Sequence, residues 1–155
     1  MSYISVFDLF KVGVGPSSSH TMGPWNAALD FIKKHHEYLA DAKGIEVELF
    51  GSLAKTGEGH GTDMAVIMGL QGFQIDTFET LRIPELMSEL KSSKKLKLNG
   101  LSEIDFDSEH SIIFNRQEDQ LPPPNTIDFR LICSDKVIQD RYKSIGGGFI
   151  ACVRG

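Results

Sequence analysis

Three stretches of the 155-residue chain gather glycine, hydroxyl and imidazole groups at spacings that could hold a small anion and move a proton. The first is Gly13-Val14-Gly15-Pro16-Ser17-Ser18-Ser19-His20-Thr21. Glycines let the backbone approach a ligand closely, and a helix N-terminus beyond them favours negative charge. Three serines, a histidine and a threonine exceed what one N-cap requires, although an elaborate cap on a surface loop uses the same residues. The second is Gly51-Ser52-Leu53-Ala54-Lys55-Thr56-Gly57-Glu58-Gly59-His60-Gly61-Thr62-Asp63. His60 stands between two glycines, free of crowding side chains. Such an imidazole can act as acid, base or hydrogen-bond donor, or simply face solvent. Thr62 or Asp63 is the expected helix cap there. A phosphate loop is rejected, because the Gly-Lys-Ser/Thr ending is missing. The third is Ser144-Ile145-Gly146-Gly147-Gly148-Phe149-Ile150. Successive glycine amides can form an oxyanion nest; a flexible exit from the last strand is the plainer alternative.

The elements that must position these corners are legible from periodicity. Trp25, Ala28, Leu29 and Ile32 recur at helical spacing and predict a helix from about Met22 to Ala40, with Trp25 as a core anchor. Met64 to Leu70 is apolar on nearly all sides, predicting a buried helix over 62–70 with Gly69 and Gly72 as terminators. A third helix starts near Pro84, and Lys91 to Lys97 reads as its solvated end. Ile45, Val47 and Leu49 alternate with Glu46 and Glu48 as a strand, and Ile127, Phe129, Leu131 and Cys133 as another, to which Val137–Lys143 pairs back. Ile104 and Phe106 predict a hairpin with Ile112 to Phe114 through a turn at Asp107–His110. The expected fold class is α+β with a mixed or largely antiparallel sheet and about three helices. Of the other polar residues, His35 and His36 are expected in solvent and Cys133 as a buried, inert thiol, with Cys152 more exposed.

Composition bounds the function. Hydrophobic residues make 41% and charged residues 24%, ordinary for one globular domain spanning 1–155. The net charge of −5 argues against nucleic acid as a partner. No apolar run reaches about 18 residues, so no transmembrane helix and no membrane partner are expected. The opening Met1-Ser2-Tyr3-Ile4-Ser5 lacks a basic n-region. Two cysteines are too few for a disulfide scaffold or a structural zinc site, and a cytoplasmic location is expected. The open side of the sheet could pair two copies as a homodimer.

The same corners carry a resemblance. Ser5-Val6-Phe7-Asp8-Leu9-Phe10-Lys11-Val12 running into Gly13–Thr21 looks like the start of bacterial iron–sulfur L-serine dehydratases. Gly51-Ser52-Leu53, Thr56-Gly57, Gly59-His60, Thr62-Asp63 and Ser144–Phe149 match that family in the same order. The chain resembles the N-terminal β domain, or β subunit, of such an enzyme. That resemblance implies a fold similar to the allosteric substrate-binding domain of phosphoglycerate dehydrogenases. It implies conversion of L-serine to pyruvate and ammonia, with a 4Fe–4S cluster held by three thiolates of a catalytic α domain absent from this chain. Two cysteines cannot hold that cluster, so this chain is expected to carry no metal ligand and to be inactive alone.

In that scheme His20 and His60 are the candidate catalytic residues. Ser17, Ser18, Ser19, Thr21, Thr62, Asp63, Asn125, Ser144, Gly146, Gly147 and Gly148 are the candidate substrate-binding residues, and L-serine and the catalytic domain are the partners. The family often sets a histidine and an asparagine after a Leu-Pro pair. Here the segment reads Leu121-Pro122-Pro123-Pro124-Asn125, which keeps the asparagine and lacks the histidine. The alternative is a purely regulatory or structural module that binds small anions and mediates association, with catalysis wholly elsewhere.

Overall fold

A computed structural model describes residues 20–57, 61–116, 125–146 and 149–153. Helix α1 covers Met22–Lys34, and a 3-10 segment follows over His36–Asp41. Strand β1 is Ala42–Phe50, helix α2 Ser52–Gly57 and helix α3 Thr62–Leu70. A 3-10 turn at Thr80–Arg82 leads into α4, Ile83–Ser93. Strands β2 (Lys95–Leu98) and β3 (Ser102–Asp105), helical turn α5 (Ser108–Ser111) and strand β4 (Ile112–Asn115) come next. Strands β5 (Thr126–Cys133), β6 (Val137–Gly146) and β7 (Phe149–Val153) complete the described fold.

The expected α+β class holds, with a mixed sheet in the order β4-β1-β5-β6-β7. β4 runs parallel to β1, with Val47 opposite Ile112, and the remaining pairs are antiparallel. Period-two alternation puts Ile45, Val47 and Leu49 of β1 and Ile127, Phe129 and Leu131 of β5 into the core. Helix α1 covers that face: Phe31 stacks on Phe129 with ring centroids 5.1 Å apart, and Phe129 meets the Tyr142 ring edge-on at 5.6 Å. The Glu46 and Glu48 side chains point the other way, to Arg130 on β5 at 3.3 and 3.0 Å. Beside them Arg141 grips the buried Asp128 carboxylate with two bonds of 2.7 and 2.9 Å.

Helix α3 is buried on nearly every side, as its composition predicts. Trp25 is a core anchor whose Nε1–H donates to the Phe73 carbonyl at 2.8 Å. Gly69, expected as a terminator, instead lies inside α3 at its contact with α1, where a Cβ would come within 2.8 Å of Ala28 Cβ. Gly72, with φ +90°, ends the helix as expected.

Four other expectations are corrected. The α-helix stops at Lys34, and the stretch towards Ala40 winds more tightly, burying only Leu39 before entering β1. The lysine-rich stretch 91–97 is not one helix end. Helix α4 closes at Lys94, in the left-handed conformation, and Lys95 and Lys97 alternate with the buried Leu96 and Leu98 along β2. Ile104 therefore pairs back on β2, opposite Leu96, while Ile112–Asn115 joins β1; the segment between them is the helical turn α5, where Asp107 caps by accepting the Glu109 N–H. His35 is not solvated: its Nε2 lies 2.7 Å from Asp140 Oδ2 on β6. His36 is exposed, as expected. No described helix is long and apolar enough to cross a membrane.

Candidate functional site

The described parts of the three corners (20–21, 51–57 with 61–63, and 144–146) meet at the end of the sheet where β5 begins and β6 ends. The first joins the second directly: Thr62, fully buried at the start of α3, donates its hydroxyl hydrogen to the His20 carbonyl at 2.6 Å. The first joins the third by close packing. Gly23, in the first turn of α1, lies against the buried Ser144, and a Cβ there would fall 2.9 Å from Ser144 Cβ and nearer still to its Oγ. The second joins the third through Asn125. The Ser52 hydroxyl donates to Asn125 Oδ1, and the Asn125 carbonyl accepts the Ser144 N–H at 2.9 Å.

Local capping does not explain these residues. Thr21 takes the N-cap position of α1 and is 2% exposed, yet its side chain makes no cap bond; its carbonyl accepts the Trp25 N–H at 3.0 Å. At α3 the cap position is Gly61, with φ +91°, which corrects the expectation of Thr62 or Asp63. The reason is that the Thr62 hydroxyl is turned to the His20 carbonyl, and Asp63 accepts the neighbouring Met64 N–H at 2.9 Å. The hydroxyls thus tie one corner to another. Nε2 of His20 is shielded from solvent at the same place.

Of the residues singled out from sequence, the structure brings His20, Thr62, Asn125 and Ser144 together, with Thr21 and Asp63 adjoining in the chain. Gly146 ends β6 opposite Phe149, beside an irregularity in the strand register. Ser17, Ser18, Ser19, His60, Gly147 and Gly148 lie outside the described residues. Ser52 was not among the candidates, although it contacts one of them. The readable signal was its place after Gly51, which turns the chain at φ +62° from β1 into α2.

Cys133 is buried, and burial pushes its thiol above the ordinary range; Cys152 is exposed. Cys152 is level with Tyr142, which is level with Ile127 on β5, six residues from Cys133. At the rise of a strand that is roughly 20 Å, too far for one metal centre. Among the described residues no group of three or more His, Cys, Asp or Glu side chains could hold a metal ion. This donor set does not fit an iron–sulfur cluster.

The comparisons with known proteins agree with one another. The family described as the serine dehydratase beta chain matches residues 5–154. L-serine dehydratase 2 of Escherichia coli (strain K12) is 40% identical over 151 residues, which cover 95% of this chain and 33% of that protein. The L-serine dehydratase of Streptomyces coelicolor is 39% identical over 153 residues, and that of Helicobacter pylori 35% over 152; they cover 95% and 97% of this chain and 33% of each relative. The chain spans about a third of the length of the curated relatives it matches.

Proposed function

The chain belongs to the serine dehydratase beta-chain family, and from that premise we propose that it supplies half of an L-serine ammonia-lyase site, closed by a companion part of the enzyme. The observation that supports this most is the meeting of three chain segments, far apart in sequence, through the Thr62–His20, Gly23–Ser144 and Ser52–Asn125–Ser144 contacts. A surface cap would need none of these contacts. With the Thr62 and Ser52 hydroxyls tying the corners together, the NH2 group of Asn125 is a donor left at that end of the sheet, and it suits an amino-acid carboxylate, which accepts hydrogen bonds only.

In this reading His20, Thr21, Asn125 and Ser144 line the serine side of the pocket, and Ser17, Ser18, Ser19 and the Gly146–Gly148 amides add donors to the carboxylate. Thr62 and Asp63 hold the His20 corner and the start of α3 in place. His20 and His60 hold or pass the proton exchanged as serine loses water. The iron–sulfur cluster is assigned to the companion part, where it would act as a Lewis acid on the leaving hydroxyl; the cysteines of this chain do not fit it. The present chain alone then releases no pyruvate from serine.

The test is made in the complete enzyme, with His20→Ala and His60→Ala. Positioned acid–base groups supply roughly 10²–10⁴-fold, and losses of that order in serine turnover are expected. Turnover within about threefold of the parent for both variants would reject a catalytic contribution. It would leave the reading of a regulatory anion-binding module. That reading is tested by titrating this chain with L-serine, phosphate and sulfate in a calorimeter, where tight binding without the companion would favour it.

A further inference from the structure

Ser52 and Asn125 are 73 residues apart in sequence and are hydrogen-bonded in the fold. A carboxamide presents one acceptor oxygen and one NH2 group with two donors, on opposite arms of a plane. The Ser52 hydroxyl donates to Oδ1, so the oxygen arm is directed at α2 and the NH2 arm is turned away from it. The backbone of Asn125 is held as well. Its carbonyl accepts the Ser144 N–H at 2.9 Å, and its φ is +63°, in the left-handed region that asparagine tolerates better than most residues. With its carbonyl and side-chain oxygens both engaged, what Asn125 has left to offer from its side chain is donors. Among the described residues Nδ2 meets no acceptor.

We propose that Ser52 is a positioning residue that fixes the Asn125 amide with its NH2 group presented to the substrate carboxylate. This rests on the half-site reading above and adds to it the residue that sets donor polarity at one point of the pocket. A free asparagine can turn its amide over and present oxygen, which would repel a carboxylate. The Ser52 bond removes that alternative before substrate arrives, so its contribution appears in binding and not in the proton transfer.

The complete enzyme is assayed for serine turnover as Ser52→Ala, Ser52→Thr, Asn125→Ala, Asn125→Asp and the Ser52→Ala/Asn125→Ala double variant. Ser52→Ala is expected to raise KM roughly three- to tenfold, as for loss of one neutral hydrogen bond, with kcat within about threefold. Ser52→Thr keeps the hydroxyl and restores KM. The double variant is no worse than Asn125→Ala alone, because without the amide there is nothing to orient. Asn125→Asp keeps an acceptor for Ser52 but deletes the donors, so it also raises KM by about tenfold or more. It remains a valid test if Ser52→Ala does not fold. Asn125 variants that raise KM while Ser52→Ala leaves it unchanged would overturn the positioning role and spare the half-site. Parent-like KM in both Asn125 variants would overturn the positioning role together with Asn125 as a substrate contact.

Discussion

Replacing Gly23 by Ala probes the join between the first and third corners. The new Cβ would fall 2.9 Å from Ser144 Cβ and nearer to its Oγ, distances at which something must move. Ser144 has nowhere to turn: it is 2% exposed and sits within a strand paired on both sides, to β5 and β7. Gly23 is held by the first turn of α1, where the Trp25 N–H bonds to the Thr21 carbonyl and Pro24 fixes the backbone. Overpacking of this kind costs about 1–3 kcal/mol. A clash with two atoms of a side chain that cannot turn puts the cost in the upper part of that range, about 2–3 kcal/mol, and exchanging glycine for alanine in a helix returns about 1 kcal/mol, leaving a net loss of about 1–2 kcal/mol. For a chain of this length that lowers Tm by roughly 2–8 °C in a thermal scan followed by circular dichroism. Gly44→Ala is the control, because a Cβ there meets nothing within 4 Å; its Tm should stay within about 2 °C of the parent or rise. Ser144→Gly added to Gly23→Ala removes the atoms in the way and should recover part of the loss. A Gly23→Ala variant as stable as the parent would refute the argument that helix α1 and strand β6 are in contact at the candidate site.

Asp140 is partly buried, which raises its pKa, but the His35 hydrogen bond and the Lys34 ammonium outweigh burial and hold the carboxyl below its ordinary value. A depressed carboxyl stabilises the fold above its unfolded pKa of about 3.9 and loses that contribution as pH falls through the folded value. Asp140→Asn should therefore be less stable than the parent at pH 7, with the difference in urea midpoint shrinking as pH falls below about 3.9; a difference independent of pH would refute this assignment. Arg141→Ala should cost about 2–4 kcal/mol by urea unfolding, because among the described residues it leaves the Asp128 carboxylate, 3% exposed, with only the Arg130 guanidinium 4.0 Å away. A cost below about 0.5 kcal/mol would place Asp128 in solvent.

Where one local pattern decided an element, the sequence was sufficient. Helix α3 is apolar all round over 62–70 and is found there, and the alternations centred on Val47 and Phe129 lie on neighbouring strands. Elements decided by distant partners were harder to read. Lys95 and Lys97 mask the two-leucine pattern of β2, which only its pairing with Ser102–Asp105 turns into a strand. Ile112 to Phe114 has the composition of a hairpin arm, and nothing local says that it joins β1 in parallel. His35 follows the apolar stripe of α1 in a run of charged residues, and its partner Asp140 is 105 residues away. The candidate site shows the same division. Its three corners were visible because their hydroxyl and glycine content exceeds the needs of a turn. Ser52 does not stand out in the sequence, because one serine after a glycine is what any strand-to-helix turn contains, and its partner lies 73 residues away.

Helix α1 lies along β6 in register, and that arrangement explains how the core sets the site. Alternate residues of β6 face the helix at successive heights: Asp140 bonds His35, Tyr142 donates to Asp30 at 2.5 Å, and Ser144 packs on Gly23. Burial, then the Asp30 carboxylate, push the Tyr142 hydroxyl well above its ordinary pKa, so it remains a donor throughout the working pH range. The two polar contacts at the far end and in the middle fix the axial position of the helix, and the glycine contact closes the near end without a side chain between. A shift of one helical residue, about 1.5 Å, would break both hydrogen bonds and separate His20 from Thr62. The position of the His20 corner is therefore set by residues more than 100 positions away in sequence, on the strand that ends in the third corner.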